Sequence, residues 1–186
     1  MNYNERKAAQ MAAYLICKSG KSRMPHLKLM KLLYLAERES LKQHGACMFG
    51  DYLVSLPHGP VLSLTLDLMD GDTQSQPGGW EDFISAKENN ELALKSPITI
   101  DSLDELSPAD IEILDLIWGE FGPMGKWEIR NYTHKHCPEW QDPHGSSYPI
   151  QYEKLFEACG YSNDEAKELA EQIEEERRID RLFAAL

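Results

Sequence analysis

Residues 24–69 read MPHLKLMKLLYLAERESLKQHGACMFGDYLVSLPHGPVLSLTLDLM, and this stretch decides the fold. It reads as one long apolar helix, a short extended segment, a tight His58-Gly59-Pro60 turn and a second helix. On a 3.6-residue turn, Leu27, Leu29, Met30, Leu32, Leu33, Tyr34, Ala36 and Leu41 cover well over half of the circumference, too wide for a helix lying on a surface. A central helix packed on several sides is therefore expected. Pro25 suits its first turn, where the missing N–H costs nothing, and Gly45 suits its exit, which places the helix at 25–43. Lys28, Lys31, Arg38 and Lys42 recur at a spacing that sets them in one narrow stripe, expected to be a single positive edge. The stretch offers no nucleophile with a matching base, no phosphate-cradling glycine loop and no paired metal ligands. Its chemistry is that of packing and display, which favours a binding protein over an enzyme.

Working outward, most of the chain reads as helix. Residues 5–18 carry Ala8, Met11, Ala12, Leu15 and Ile16 on one face. The segment 49–56 alternates loosely and reads as a strand, and a helix from Pro60 or Val61 to Met69 follows. Residues 83–86 and 92–94 flank Glu88-Asn89-Asn90-Glu91, a hairpin whose asparagines supply left-handed turn residues; with 49–56 it makes a three-stranded antiparallel sheet. Ser107-Pro108-Ala109-Asp110 starts a helix with Ile111, Leu114, Ile117, Trp118 and Phe121 on its buried face. Gly122-Pro123 stops it, and short helices over 126–134 and 152–159 follow. Ser162-Asn163-Asp164-Glu165 is a capping box opening a last helix to the chain end. In that helix Ala166, Leu169, Ala170 and Ile173 are expected to touch the body, with 174–178 solvated. The fold class is mainly α (α+β): a single compact helical domain with a small antiparallel β-sheet.

The run Leu27-Lys28-Leu29-Met30-Lys31-Leu32-Leu33-Tyr34-Leu35-Ala36, then Gly45, then His58-Gly59-Pro60-Val61, resembles the Panacea domain, also called the SocA-like antitoxin domain. Tyr132-Thr133-His134 with Trp140 resembles that family's later element. On this likeness residues 1–160 form a Panacea-like antitoxin domain, and 161–186 are an acidic C-terminal helix packed on it. The resemblance implies an antitoxin that binds and blocks a protein toxin encoded by a neighbouring gene. It implies no cofactor and no catalytic set.

Composition bounds the remaining classes. A chain of 186 residues, 42% hydrophobic, buries one substantial core. No segment approaches the roughly 20 apolar residues that span a bilayer, and the first residues lack a signal peptide's apolar run, so a cytoplasmic protein with no membrane partner is expected. Cys17, Cys47, Cys137 and Cys159 lie far apart without a C-x-x-C pair and read as reduced and mostly buried. The net charge is −12, yet residues 1–45 hold nine Lys and Arg against three Asp and Glu. Either the basic third packs beside the acidic remainder, or one end faces a partner of opposite sign. A phosphate backbone repels the bulk of such a chain, which makes nucleic acid a poor partner.

Several residue groups invite chemistry. His134, His136, Cys137 and His144 include zinc-ligand types, but the first three are too tightly spaced for a standard structural site, and His134 is expected instead to bond within its loop and stack near Trp140. Cys137 with a neighbouring histidine lacks the glycine pattern of an oxyanion hole. The expected toxin contact joins Lys28, Lys31, Arg38 and Lys42 with an exposed strand and turn around Asp51, Tyr52 and His58. Two other readings stand beside the antitoxin: a proteolytic adaptor or regulated protease substrate, from the apolar end at 182–186, and a DNA-binding regulator using the basic N-terminal helices.

Overall fold

The computed structural model describes residues 2–184 and is 55% helical. Helix α1 (Glu5–Lys18) begins where the Asn4 side chain accepts from the Lys7 N–H at 2.9 Å, and Ala8, Met11, Ala12, Leu15 and Ile16 are all buried. Helix α2 (His26–His44) is central, packed against α1 and, further along the chain, against α5 (Pro108–Phe121) and α6 (Lys126–His136). Leu29, Leu32, Leu33, Tyr34, Ala36 and Leu41 are fully enclosed, as the width of the apolar arc demands. Gly45 closes the helix in the left-handed conformation, at φ +66°. Its start lies one residue later than expected. Pro25, with extended ψ, ends strand β1 (Arg23–Pro25) instead of entering the first helical turn.

The largest departure lies just past α2. Strand β2 (Leu53–Leu56) turns through Pro57 and His58 and returns as strand β3 (Gly59–Leu62), pairing Leu53 with Leu62 and Leu56 with Gly59. The expected helix start at Pro60 or Val61 is thus the return strand of a two-residue hairpin, and helix α3 (Ser63–Asp70) begins only after it. Gly59 at φ +97° makes the reversal possible. Pro60 is tolerated because β3 is the sheet edge, in the order β3-β2-β5, with β5 (Tyr148–Pro149) on the other side.

The three-stranded sheet therefore draws its third strand from near residue 148, not from 83–94. There a one-turn helix, α4 (Trp80–Phe83), precedes strand β4 (Glu91–Ala93), which pairs antiparallel with β1. The hairpin turn itself is as read from sequence: Asn89 and Asn90 take φ +53° and +61°, and Glu88 bridges Glu91. The Ile84–Leu94 bridge extends it, with the Ser85 N–H donating to the Ala93 carbonyl at 2.9 Å, on the edge of β4 away from β1.

Helix α5 starts at the expected Ser107 cap, which the structure extends into a capping box with Ser107 and Asp110 exchanging bonds of 2.8 and 3.2 Å, and it buries Leu114, Ile117 and Phe121. Helix α7 (Tyr152–Ala158) packs along α8 (Asn163–Ala184), which opens at the Ser162–Glu165 box. Ala166, Ala170 and Ile173 are buried against the body. The expected solvation of 174–178 fails at Arg177. Its guanidinium lies 4.8 Å from the Tyr52 ring and 5.1 Å from that of Tyr152, and donates to the Tyr152 hydroxyl at 2.6 Å and to the Asp51 carbonyl. Among the described residues no helix is long and apolar enough to cross a membrane.

Candidate functional site

The basic residues of the first 45 are largely answered by the acids of the remainder. Arg6 meets Asp104 at 2.9 Å, Lys7 meets Asp110 at 2.9 Å, Lys18 meets Asp115 at 2.8 Å and Arg23 meets Glu88 at 3.7 Å. Of the two readings of the charge division, internal packing of the basic third against the acidic remainder describes the structure.

The same holds along the α2 stripe, which is not a single exposed edge. Lys28 is half-buried, donates to the Gly122 carbonyl at 2.6 Å and lies 5.4 Å from the Trp118 ring. Lys31 is completely enclosed, its ammonium donating to the Pro60 carbonyl at 2.7 Å, and burial lowers its pKa to about 7. Arg38 donates from Nε to Glu139 Oε1 at 2.7 Å, and the same carboxylate accepts from the Tyr34 hydroxyl at 2.8 Å. Only Lys42 stands clear, 3.4 Å from Glu39. The reason is position: α2 is surrounded, so three of its four stripe residues face other elements.

The strand and turn divide similarly. Asp51 is buried and caps α3, accepting from the N–H groups of Leu64 and Thr65 at 2.8 Å each and from the Thr65 hydroxyl at 2.6 Å. Tyr52 is 49% exposed beneath Arg177. His58 is exposed at the hairpin turn, its ring edge-on to Trp127 at 6.4 Å. Lys31 and Asp51, expected at a contact surface, therefore hold the fold together, while Lys42, Tyr52 and His58 reach solvent at separate places.

Two hollows lie at Tyr52 and at His58. One, of about 610 Å³, lies between α8 and the β5 region, where Tyr52, Tyr152, Arg177 and Arg181 share its wall with Glu171 and Glu174. The other, of about 310 Å³, lies at the hairpin turn, between His58, His26, Lys126 and Trp127. Sequence reasoning left out Trp127 and Arg177. Trp127 had a signal: Ile129 and Thr133 form the buried face of α6, and a residue two positions before Ile129 falls on the opposite side of the helix. Arg177 had none, since its aromatic neighbours lie 25 and 125 residues away in the chain.

The chemistry-bearing groups near α6 have structural surroundings. His134 stacks on Trp140 with centroids 4.0 Å apart, and the Trp140 indole donates to the Leu56 carbonyl at 2.9 Å. Burial, reinforced by the Glu139 carboxylate, pushes the Cys137 thiol up to about 12, the reverse of what an activated nucleophile requires. Among the described residues no three His, Cys, Asp or Glu side chains gather to hold a metal ion.

No curated protein and no solved structure matches the chain in comparison. The profile of the family described as "Antitoxin SocA-like, Panacea domain" matches residues 29–141, from the buried core of α2 through the hairpin and α5 to just past Trp140. That is more than half of the sequence, and the chain belongs to this family of SocA-like antitoxin, Panacea domain proteins.

Proposed function

We propose that this chain is an antitoxin that neutralises a protein toxin encoded by a neighbouring gene, by stoichiometric binding. The observation that carries the reading is the family match, which spans the central helix and the hairpin that the sequence marked out. The use of the interior polar groups supports it. Lys31, Asp51, Arg38 and Glu139 are engaged in holding elements together, and Cys137 is buried with a raised pKa, so the chemistry on offer is surface recognition. Contact falls to the exposed members of the expected set, Lys42, Tyr52 and His58, since enclosed Lys31 and Asp51 cannot reach a partner without unfolding.

The test is co-expression with the product of the neighbouring gene. Growth should be restored, a complex of fixed stoichiometry should elute on a sizing column, and a Lys42→Glu, Tyr52→Ala, His58→Ala variant that melts like the parent should lose both. Protection that persists with toxin in large molar excess would point to a catalytic or proteolytic mechanism. One observation favours a second reading, the regulated protease substrate: Leu182 and Phe183 are 65% and 72% exposed at the end of α8. Residues 185–186, which complete that apolar end, lie outside the described residues. Adding two aspartates after Leu186 should lengthen the protein's lifetime in growing cells on this second reading, and an unchanged lifetime removes it.

A further inference from the structure

The hollow at the hairpin turn differs in chemistry from the rest of this acidic protein. Four separate segments build it: the start of α2 with His26, the β2–β3 turn with His58, the asparagine turn with Asn90, and the start of α6 with Lys126 and Trp127. Its volume of about 310 Å³ suits one or two side chains. Trp127 is 56% exposed, a large rigid apolar surface left in water. The His58 ring meets it edge-on, and the Lys126 ammonium lies 5.6 Å from its centroid. His26 is fixed through Nδ1 and its own backbone N–H, both 3.0 Å from the Asn90 carbonyl.

Charge makes the place distinctive. The chain carries 31 acids against 19 Lys and Arg, yet no Asp or Glu lines this hollow, whereas one lysine and two histidines do. An aromatic platform with an ammonium at its rim and no carboxylate in its lining is complementary to an acidic segment with an apolar anchor. Tryptophan is among the residue types that most often dominate interface energetics when a partner covers them, and flanking charges steer the approach. Nucleic acid offers negative charge too, but its extended phosphate backbone would meet the acidic surface beyond the hollow.

We propose that this hollow is the docking site for an acidic segment of a protein partner, whose apolar side chain lies on Trp127 and whose carboxylates face the Lys126 ammonium. The proposal rests on the reading of the chain as a protein-binding antitoxin, and makes the partner's contacting segment acidic.

The experiment has two arms. In the first, the full chain is titrated with two capped heptapeptides sharing a central Phe-Leu pair, one flanked by glutamates and one by lysines, while the indole N–H resonances are followed. The acidic peptide should shift Trp127 and bind at least about tenfold more tightly than the basic one, and Trp127→Ala or Lys126→Glu should each weaken it about tenfold. Both side chains are exposed, so unchanged melting is expected, and Lys21→Glu serves as a control away from the hollow. Equal binding of the two peptides, no binding, shifts centred elsewhere, or tighter binding of a single-stranded oligonucleotide overturns the proposal. In the second arm the neighbouring-gene product is co-expressed with each variant. Loss of the complex with Trp127→Ala and Lys126→Glu, but not Lys21→Glu, supports the proposal. A complex retained by the two hollow variants overturns the docking site and leaves the antitoxin reading intact. No complex with the parent chain counts against the antitoxin reading, and the peptide arm then decides the hollow by itself.

Discussion

At the residue scale, the α2 stripe shows what a sequence reveals and what it conceals. The spacing of Lys28, Lys31, Arg38 and Lys42 on one helix face was legible, because helical geometry is local. The burial of Lys31 was not, because its acceptor, the Pro60 carbonyl, comes from a hairpin 29 residues on. Glu37, one position before Arg38, is enclosed too: it accepts from the Met48 N–H at 3.1 Å, and its Oε1 has no hydrogen-bond partner among the described residues. Burial raises its pKa from 4.5 to about 7, with neighbouring Asp51 adding to the rise and the Met48 N–H, Cys47 and Arg177 opposing it. A carboxyl raised on folding gives stability that is present below pH 4.5 and lost as pH climbs through about 7. That loss amounts to about 3 kcal/mol for a fully enclosed group. Urea unfolding of Glu37→Gln across this window should show no such fall, while the parent does; identical profiles would mean the carboxyl is hydrated. Lys31 has the opposite sign. Its pKa, lowered from 10.5 to about 7, gives stability that is present above pH 10.5 and lost as pH falls through 7, so Lys31→Met should flatten the alkaline limb.

At the element scale, helices with local punctuation were readable: the Ser107 cap, the Ser162 box and the Gly45 exit all sit where the sequence put them. The hairpin was misread because Gly-Pro followed by aliphatic residues suits a helix start as well as an edge strand. Only pairing with β2, and of β2 with Pro149 some 95 residues on, decides between them. The turn is also where α6 presses closest. A Cβ on Gly59 would lie 3.0 Å from both His134 Cδ2 and Thr133 Oγ1, on a backbone at φ +97°. Gly59→Ala should therefore cost about 1–3 kcal/mol from strain and crowding. Gly20, also left-handed at φ +65° but with nothing near its would-be Cβ, is the control, and Gly20→Ala should cost less. Equal urea midpoints for the two variants would show that α6 yields to the new methyl. On α2 itself, Leu33→Ala at a fully enclosed site should cost about 2–5 kcal/mol by thermal melting, and a shift within a degree or two would place the helix at the periphery.

At the scale of the whole molecule, the question is whether the last helix belongs to the fold or hangs from it. The family match stops at residue 141, and α8 begins 22 residues later at Asn163. Composition marked that helix as acidic, its apolar residues were expected to touch the body, and packing ties it in. Ala166, Ala170 and Ile173 are buried along α7, and Leu169 lies close enough to Gly45 to touch any side chain placed there. Arg177 then makes the longest connection, joining α8 to Tyr52, Tyr152 and the Asp51 carbonyl, next to the carboxylate that caps α3. A guanidinium set against two aromatic rings and donating to two oxygens exchanges well-solvated charge for directed contacts. The net worth of such a set is about 2 kcal/mol. If α8 is one cooperative unit with the antitoxin domain, urea denaturation should give a single transition, and Arg177→Ala should lower the unfolding free energy by that amount, seen as a lower midpoint with an unchanged slope. Hydrogen exchange should then show the amides near Ile173 protected to nearly the same free energy as those of α2. Early exchange of α8 beside an unmoved α2, or a midpoint indifferent to Arg177, would make the helix an appendage that opens by itself. The hollow between α8 and β5 would then be a gap between two independently moving parts.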